Sequence, residues 1–379
     1  MHIPYCSGKC YYCDFLSFPE GKGFLQPEEY IALLCREIEL RGREISESGH
    51  RVTTLYIGGG TPTFLAGPQL ARLLCACLNY LPLDHPEWTV EANPDSINRN
   101  KLAMMSDHGV TRLSLGIQAM DNHLLDLLGR RYDTDAAKKA YDDCRNYIPS
   151  LSVDLMYGLP CQDVHGYLFG LKTVLDLEPD HLSLYGLKLE EGTSLSNKVA
   201  AGALSLPSED EILAMMLEGK ELAERRGYLH YEIASFAKPG HTCRHNLTYW
   251  YNLPYIGIGL GSHSYWQGQR LENTTCLEKY RSFLLDCSVP VAEFTDVPER
   301  QIIEDTMMLG LRIITGVTHA RFYQNFGKNI RDVFGAELAY LEKHGLIIVD
   351  SEGVRLSQRG LPLANFVFAE FITIEPTEA

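Results

Sequence analysis

The chain reads as an α/β fold, a partial (β/α) barrel with a small α+β C-terminal domain, and three observations predict it. Short apolar runs alternate with longer segments of helical period from the N-terminal cysteine loop to about residue 270, the pattern of repeated βα units on a parallel sheet. Glycine-bearing or polar motifs follow one apolar run after another, as they do where βα loops gather at a common rim. Beyond about residue 290 helical segments give way to a hairpin pattern.

The first run, residues 53–57, is Thr53-Thr54-Leu55-Tyr56-Ile57, rich in β-branched and aromatic side chains, and Gly58-Gly59-Gly60-Thr61-Pro62 ends it. Runs at 89–92, 112–116, 152–156, 181–185 and 230–234 repeat the signal. Between them, residues 27–41, 67–80, 98–107 and 134–147 are amphipathic and long enough for crossover helices. The motifs fall where strands finish: Glu91-Ala92-Asn93-Pro94 after the second, Gly116-Ile117-Gln118 after the third, with Asp154 in the fourth. In parallel sheets chemistry collects at those carboxyl ends. Near the C-terminus, Gly345-Leu346-Ile347-Ile348-Val349 and Gly353-Val354-Arg355-Leu356 flank a polar turn, a hairpin that with its helices predicts a winged-helix-like unit. We therefore divide the chain into domains 1–285 and 286–379.

A length of 379 residues suits one large domain plus a small one. A formal charge of −15 argues against broad contact with nucleic acid, which needs surfaces dense in Lys and Arg, and the acidic tail argues the same for the hairpin unit. No apolar run reaches the roughly eighteen residues that would suggest a membrane span, which leaves peripheral membrane contact open. Eleven cysteines without a secretory signal predict reduced thiols and a cytoplasmic location. Seven of them, Cys35, Cys75, Cys77, Cys144, Cys161, Cys276 and Cys287, read as packing residues.

Cys6, Cys10 and Cys13 differ, because they share one loop in the spacing C-x3-C-x2-C. Three thiolates on one tight loop suit three irons of a four-iron cluster and leave the fourth iron without a protein ligand. Zinc is the alternative, but a structural zinc site takes four protein ligands and no second Cys or His pair follows at short range.

This loop, with Tyr12 before its last cysteine, resembles that of the radical S-adenosylmethionine superfamily. Taken with His2-Ile3-Pro4, Gly58–Pro62 and the Gly129-Arg130-Arg131 step, the chain resembles the oxygen-independent coproporphyrinogen III oxidase family along essentially its whole length. His245-Asn246-Leu247-Thr248-Tyr249-Trp250 is similar to the HNxxYW motif of the HemW-type haem chaperones within that family. The resemblance implies a radical S-adenosylmethionine type of barrel, a [4Fe-4S] cluster on Cys6, Cys10 and Cys13, and S-adenosyl-L-methionine held by Tyr12, Gly59, Gly60, Thr61, Glu91, Gln118, Arg130 and Asp154. Arg130 suits the methionyl carboxylate, since a guanidinium fork engages two oxygens.

It also implies haem as a ligand, with His245 as the iron-binding residue and Tyr249 and Trp250 as flat apolar contacts; Cys243 and His263 stand behind His245 as minor candidates. Acceptor haemoproteins would receive the haem, and an electron donor such as flavodoxin or ferredoxin would reduce the cluster. The alternative activity is the oxidase's own, a radical oxidative decarboxylation of coproporphyrinogen III to protoporphyrinogen IX. The oxidases carry an extension ahead of the cysteine loop that this sequence does not contain. The family's first strand ends just before the His-Ile-Pro triplet, whereas Met1 here directly precedes His2, so the first barrel strand is expected to be missing or badly shortened.

Overall fold

A computed structural model of the protein describes residues 1–19 and 25–372. The first half alternates strand and helix: β1 (His2–Ile3), α1 (Pro27–Glu47), β2 (Val52–Gly59), α2 (Gly67–Tyr80), β3 (Leu83–Ala92), α3 (Arg99–Asp107) and β4 (Arg112–Gln118). There follow α4 (Asn122–Leu128), α5 (Thr134–Arg145), β5 (Ser150–Tyr157), α6 (Val164–Leu175) and β6 (His181–Gly186). These six strands stand side by side in chain order and pair in parallel, which is the sheet that crossover helices impose.

The first barrel strand is present in shortened form. His2 and Ile3 pair with Gly58 and Gly59 of β2, and the Met1 amine donates to the Tyr56 carbonyl at 2.6 Å. At the other edge one expectation fails. Residues 230–234 read as a further parallel strand, but the chain turns after Glu232: following α7 (Ser194–Ala200) and α8 (Glu209–Arg225), β7 (Leu229–Glu232) and β8 (Ser235–Ala237) form a hairpin. β8 pairs antiparallel to β6. No crossover helix separates β7 from β8, and adjacent strands joined by a short turn run antiparallel.

The remaining elements are α9 (Arg244–Trp250), β9 (His263–Trp266), β10 (Gln269–Asn273), α10 (Leu277–Leu285), β11 (Val291–Asp296), α11 (Glu299–Gly310), β12 (Val317–Thr318), α12 (His319–Phe326), α13 (Ile330–Lys343), β13 (Ile347–Val349), β14 (Gly353–Leu356) and α14 (Ala364–Ala369). β9, β10 and β11 make one antiparallel sheet; β12, β14 and β13 make another, in that order. The expected hairpin is β13–β14, and with α11 to α13 before it the unit is α+β as read from sequence.

Two hydrophobic cores result. One draws buried side chains from Ile3 to Leu284 around the large sheet, and the second runs from Ile303 to Phe371. The acidic tail, residues 373–379, lies outside the described residues. Among the described residues no helix is long and apolar enough to cross a membrane.

Candidate functional site

The cysteine loop is tied at both ends. Tyr5–Cys6 pairs in parallel with Phe18–Pro19, and the Tyr11 amide donates to the Leu128 carbonyl at the end of α4 while its own carbonyl accepts from the Leu195 amide of α7. Cys6, Cys10 and Cys13 are half-buried free thiols facing one cavity of about 330 Å³. Burial pushes the Cys6 and Cys13 thiols up, with each sensing Cys10 nearby. Among the described residues no three His, Cys, Asp or Glu side chains close on a single ion.

The same cavity is lined by every residue that the resemblance implies for S-adenosylmethionine: Tyr12 on the cysteine loop itself, and Gly59, Gly60, Thr61, Glu91, Gln118, Arg130 and Asp154 across from it. Successive strands deliver them, Gly59 at the end of β2, Glu91 near the end of β3, Gln118 at the end of β4 and Asp154 within β5. Glu91 accepts from the Tyr56 hydroxyl at 2.7 Å and from the Gly59 amide at 3.1 Å, and burial raises its pKa despite those bonds. Asp154 is likewise raised by burial and accepts from Ser114 Oγ at 3.1 Å. Gln118 sits at φ +68°, a left-handed conformation costly for this side chain, and its Oε1 accepts from the Tyr185 hydroxyl at 2.6 Å.

Arg130 bridges the two walls. Its Nη1 donates to Asn93 Oδ1 at 2.8 Å and its Nη2 to the Tyr12 hydroxyl at 2.6 Å. Its Nε is buried and has no hydrogen-bond partner among the described residues. A buried guanidinium donor without an acceptor is costly, so a carboxylate-bearing ligand in this cavity fits. Thr61 links the walls again, donating to Cys6 Sγ at 3.5 Å while accepting from Asn93 Nδ2 at 3.0 Å.

Sequence reasoning missed Asn93, Ser114 and Tyr185 as site residues. Asn93 stood in the strand-end motif and was legible there; Ser114 and Tyr185 carry no signal apart from their strands. The glycines also serve the fold. A Cβ on Gly59 (φ +102°) would meet the His2 ring at 2.0 Å, and one on Gly60 would meet the Ile3 and Tyr5 carbonyls at 2.6 Å. They admit the first strand of the protein itself, as well as leaving the cavity wall bare.

His245 lies elsewhere, at the start of α9. The helix is capped from β3: Glu87 accepts from the Arg244 amide at 3.1 Å and the His245 amide at 3.0 Å, placing a carboxylate at a helix N-terminus. Thr54, the β2 residue paired with Glu87, holds His245 Nδ1 at 2.9 Å, and the Tyr249 hydroxyl holds Nε2 at 2.9 Å. The Tyr56 ring stacks on the imidazole with centroids 5.1 Å apart. Burial pushes His245 down to about 3, so the ring is neutral at physiological pH. It borders a second, larger cavity of about 710 Å³ that also reaches Thr54, Tyr56, Tyr249, Tyr255 and His263. Trp250, expected as a flat contact, does not border this cavity: the Arg312 guanidinium lies 4.2 Å from its ring centre, and Cys243 is buried with its thiol on Glu87 at 3.5 Å.

Comparison with known proteins joins these parts. Residues 1–165 match the radical SAM superfamily and residues 297–363 the HemN C-terminal domain. The chain is 34% identical to the heme chaperone HemW of Bacillus subtilis, over 98% of each chain. The chain belongs to the radical SAM superfamily, within its HemW-type group. It is also 36% identical to the mouse protein named radical S-adenosyl methionine domain-containing protein 1, mitochondrial, over 96% of this chain and 85% of that one. In solved structures the same fold occurs in the coproporphyrinogen III oxidase HemN of Escherichia coli, with a TM-score of 0.84, 23% identity, and 98% of this chain and 88% of that one covered. Membership in the superfamily implies the [4Fe-4S] cluster and S-adenosylmethionine.

Proposed function

We propose that this protein is a haem chaperone: it binds haem through His245, carries a [4Fe-4S] cluster on Cys6, Cys10 and Cys13 with S-adenosylmethionine beside it, and passes haem to acceptor haemoproteins. The observation that carries the reading is the setting of the HNxxYW segment. Its histidine is neutral, as an iron ligand must be, and borders a 710 Å³ cavity, within the size range of cofactor pockets. The relatives named heme chaperone HemW support it over matched lengths that include this segment.

Around the cluster, Cys6, Cys10 and Cys13 would bind three irons, and the open iron supplies one-electron chemistry when loaded. The chain's own residues do the positioning. Arg130 Nε would take a carboxylate oxygen, Glu91 and Asp154 would accept from an amine or hydroxyls, and Gln118 is set in place by Tyr185. A cytoplasmic location and reduction by a flavodoxin- or ferredoxin-like donor complete the proposal.

Anaerobic reconstitution followed by absorption spectroscopy tests it. Haem should give a Soret band of histidine type, absent in His245→Ala, with the cluster's broad absorption the same in both. Haem uptake undiminished in His245→Ala would remove His245 as the ligand, and no uptake by the wild type would end the chaperone reading.

A further inference from the structure

The two cavities share a strand. Alternate residues of a β-strand lie on one face, and on β2 the residues Thr54, Tyr56 and Gly58 make such a column. Thr54 touches His245, Tyr56 touches both His245 and Glu91, and Gly58 lies against Glu91, whose carboxyl a Cβ there would meet at 2.6 Å. Tyr56 thus has two engagements. Its hydroxyl donates to Glu91 Oε1 at 2.7 Å, in the cavity of the cysteine loop, and its ring lies nearly parallel to the His245 imidazole at 23°.

We propose that Tyr56 is a positioning residue that couples the cysteine-loop cavity to His245, so that a cationic amine bound at Glu91 sets the orientation of the imidazole presented to haem. The inference rests on the reading of His245 as the haem ligand. A ligand amine paired with Glu91 fixes that carboxylate, and the Tyr56 hydroxyl bonded to it is fixed in turn. The ring then has one position on the imidazole, and less rotational freedom is lost when iron binds. S-adenosylmethionine should therefore tighten haem binding, and by linkage haem should tighten S-adenosylmethionine binding by the same factor.

Haem titrations of the cluster-loaded full chain, with and without saturating S-adenosylmethionine, read the coupling directly. In the wild type the haem Kd should fall on the order of fivefold with S-adenosylmethionine, the lower end of ordinary allosteric coupling. Tyr56→Phe keeps the ring and removes the hydroxyl, and the ratio should drop to about one while S-adenosylmethionine still binds, as its own titration reports. Thr54→Val disturbs the imidazole without touching Glu91; it should shift both haem affinities and keep their ratio. A wild-type ratio of one, a fivefold ratio surviving in Tyr56→Phe, or a ratio lost equally in Thr54→Val would overturn the proposal. Failure of the underlying reading looks different, since His245→Ala would then bind haem as the wild type does.

Discussion

Arg130 and His245 use their hydrogen-bonding capacity in opposite ways. With Nη1 and Nη2 fixed by Asn93 and Tyr12, the Arg130 guanidinium is orientated and only Nε is left without a partner among the described residues. Arg130→Ala should weaken S-adenosylmethionine binding by about 1.5–3 kcal/mol, the scale of a hydrogen bond to a charged group, and isothermal titration will register it. Unchanged affinity would put the methionyl carboxylate elsewhere. His245 has the opposite condition, since both ring nitrogens are already engaged. On the proposed reading, iron at Nε2 displaces the Tyr249 hydroxyl, so Tyr249→Phe should tighten haem binding by about 0.5–1.5 kcal/mol, the net worth of a neutral hydrogen bond. Weaker binding in that variant would mean that Tyr249 contacts the haem instead. At the cysteine loop, Ala at Cys6, Cys10 and Cys13 should remove the roughly four irons and four sulfides per chain expected of the cluster; stoichiometric zinc without sulfide in the wild type would sink that assignment.

Among the elements, α9 carries the most information per residue. It has no side-chain cap of its own, and Glu87 on β3 supplies one while Arg312 and Arg321 lie over the rings of Trp250 and Tyr251 at its other end. The HNxxYW segment thus ties the barrel to the C-terminal unit. Glu87→Ala should cost about 1–2 kcal/mol of stability and weaken haem binding, because it frees the turn that carries His245; Glu87→Gln should recover part of both. Thermal unfolding and a haem titration on the same samples check this. None of it was legible in the sequence, where Glu87 is one acid among many and its capping role exists only once β3 and α9 meet. The strands at 53–57 and 112–116 were legible, since β-branched and apolar runs bounded by glycine have few other readings. Residues 230–234 misled because a helix, α8, precedes them as it would a parallel strand, and only the short turn from Glu232 to Ser235 marks the hairpin.

Over the whole molecule, the motifs that the sequence places at strand ends, Gly59 to Thr61, Glu91, Gln118 and Asp154, line one cavity, because the topology forces βα loops to one rim. Contacts between distant segments, such as His2 against Gly59 or Tyr185 on Gln118, depend on packing that no local pattern encodes. Neighbouring βα units are also joined by an ion pair. Asp180, after α6, accepts from the Arg145 guanidinium at the end of α5 and from the Leu151 amide of β5, and although burial pushes its pKa up, these bonds and the Arg145 charge bring it below the usual carboxylate value. A lowered folded-state pKa contributes stability above the unfolded value of about 4 and loses it as pH falls through the folded value. Asp180→Asn should therefore cost on the order of 1–2 kcal/mol at pH 7, discounted for the partly exposed Arg145, and the gap to wild type should narrow below about pH 4 in chemical denaturation. We propose that the cluster, S-adenosylmethionine and haem together serve transport of haem rather than decarboxylation of a porphyrinogen. The most direct test offers the reduced, cluster-loaded protein either haem or coproporphyrinogen III, with S-adenosylmethionine present in both. We predict uptake of haem that depends on His245 and no conversion of coproporphyrinogen, whereas protoporphyrinogen formed over many turnovers without stable haem uptake would contradict the account.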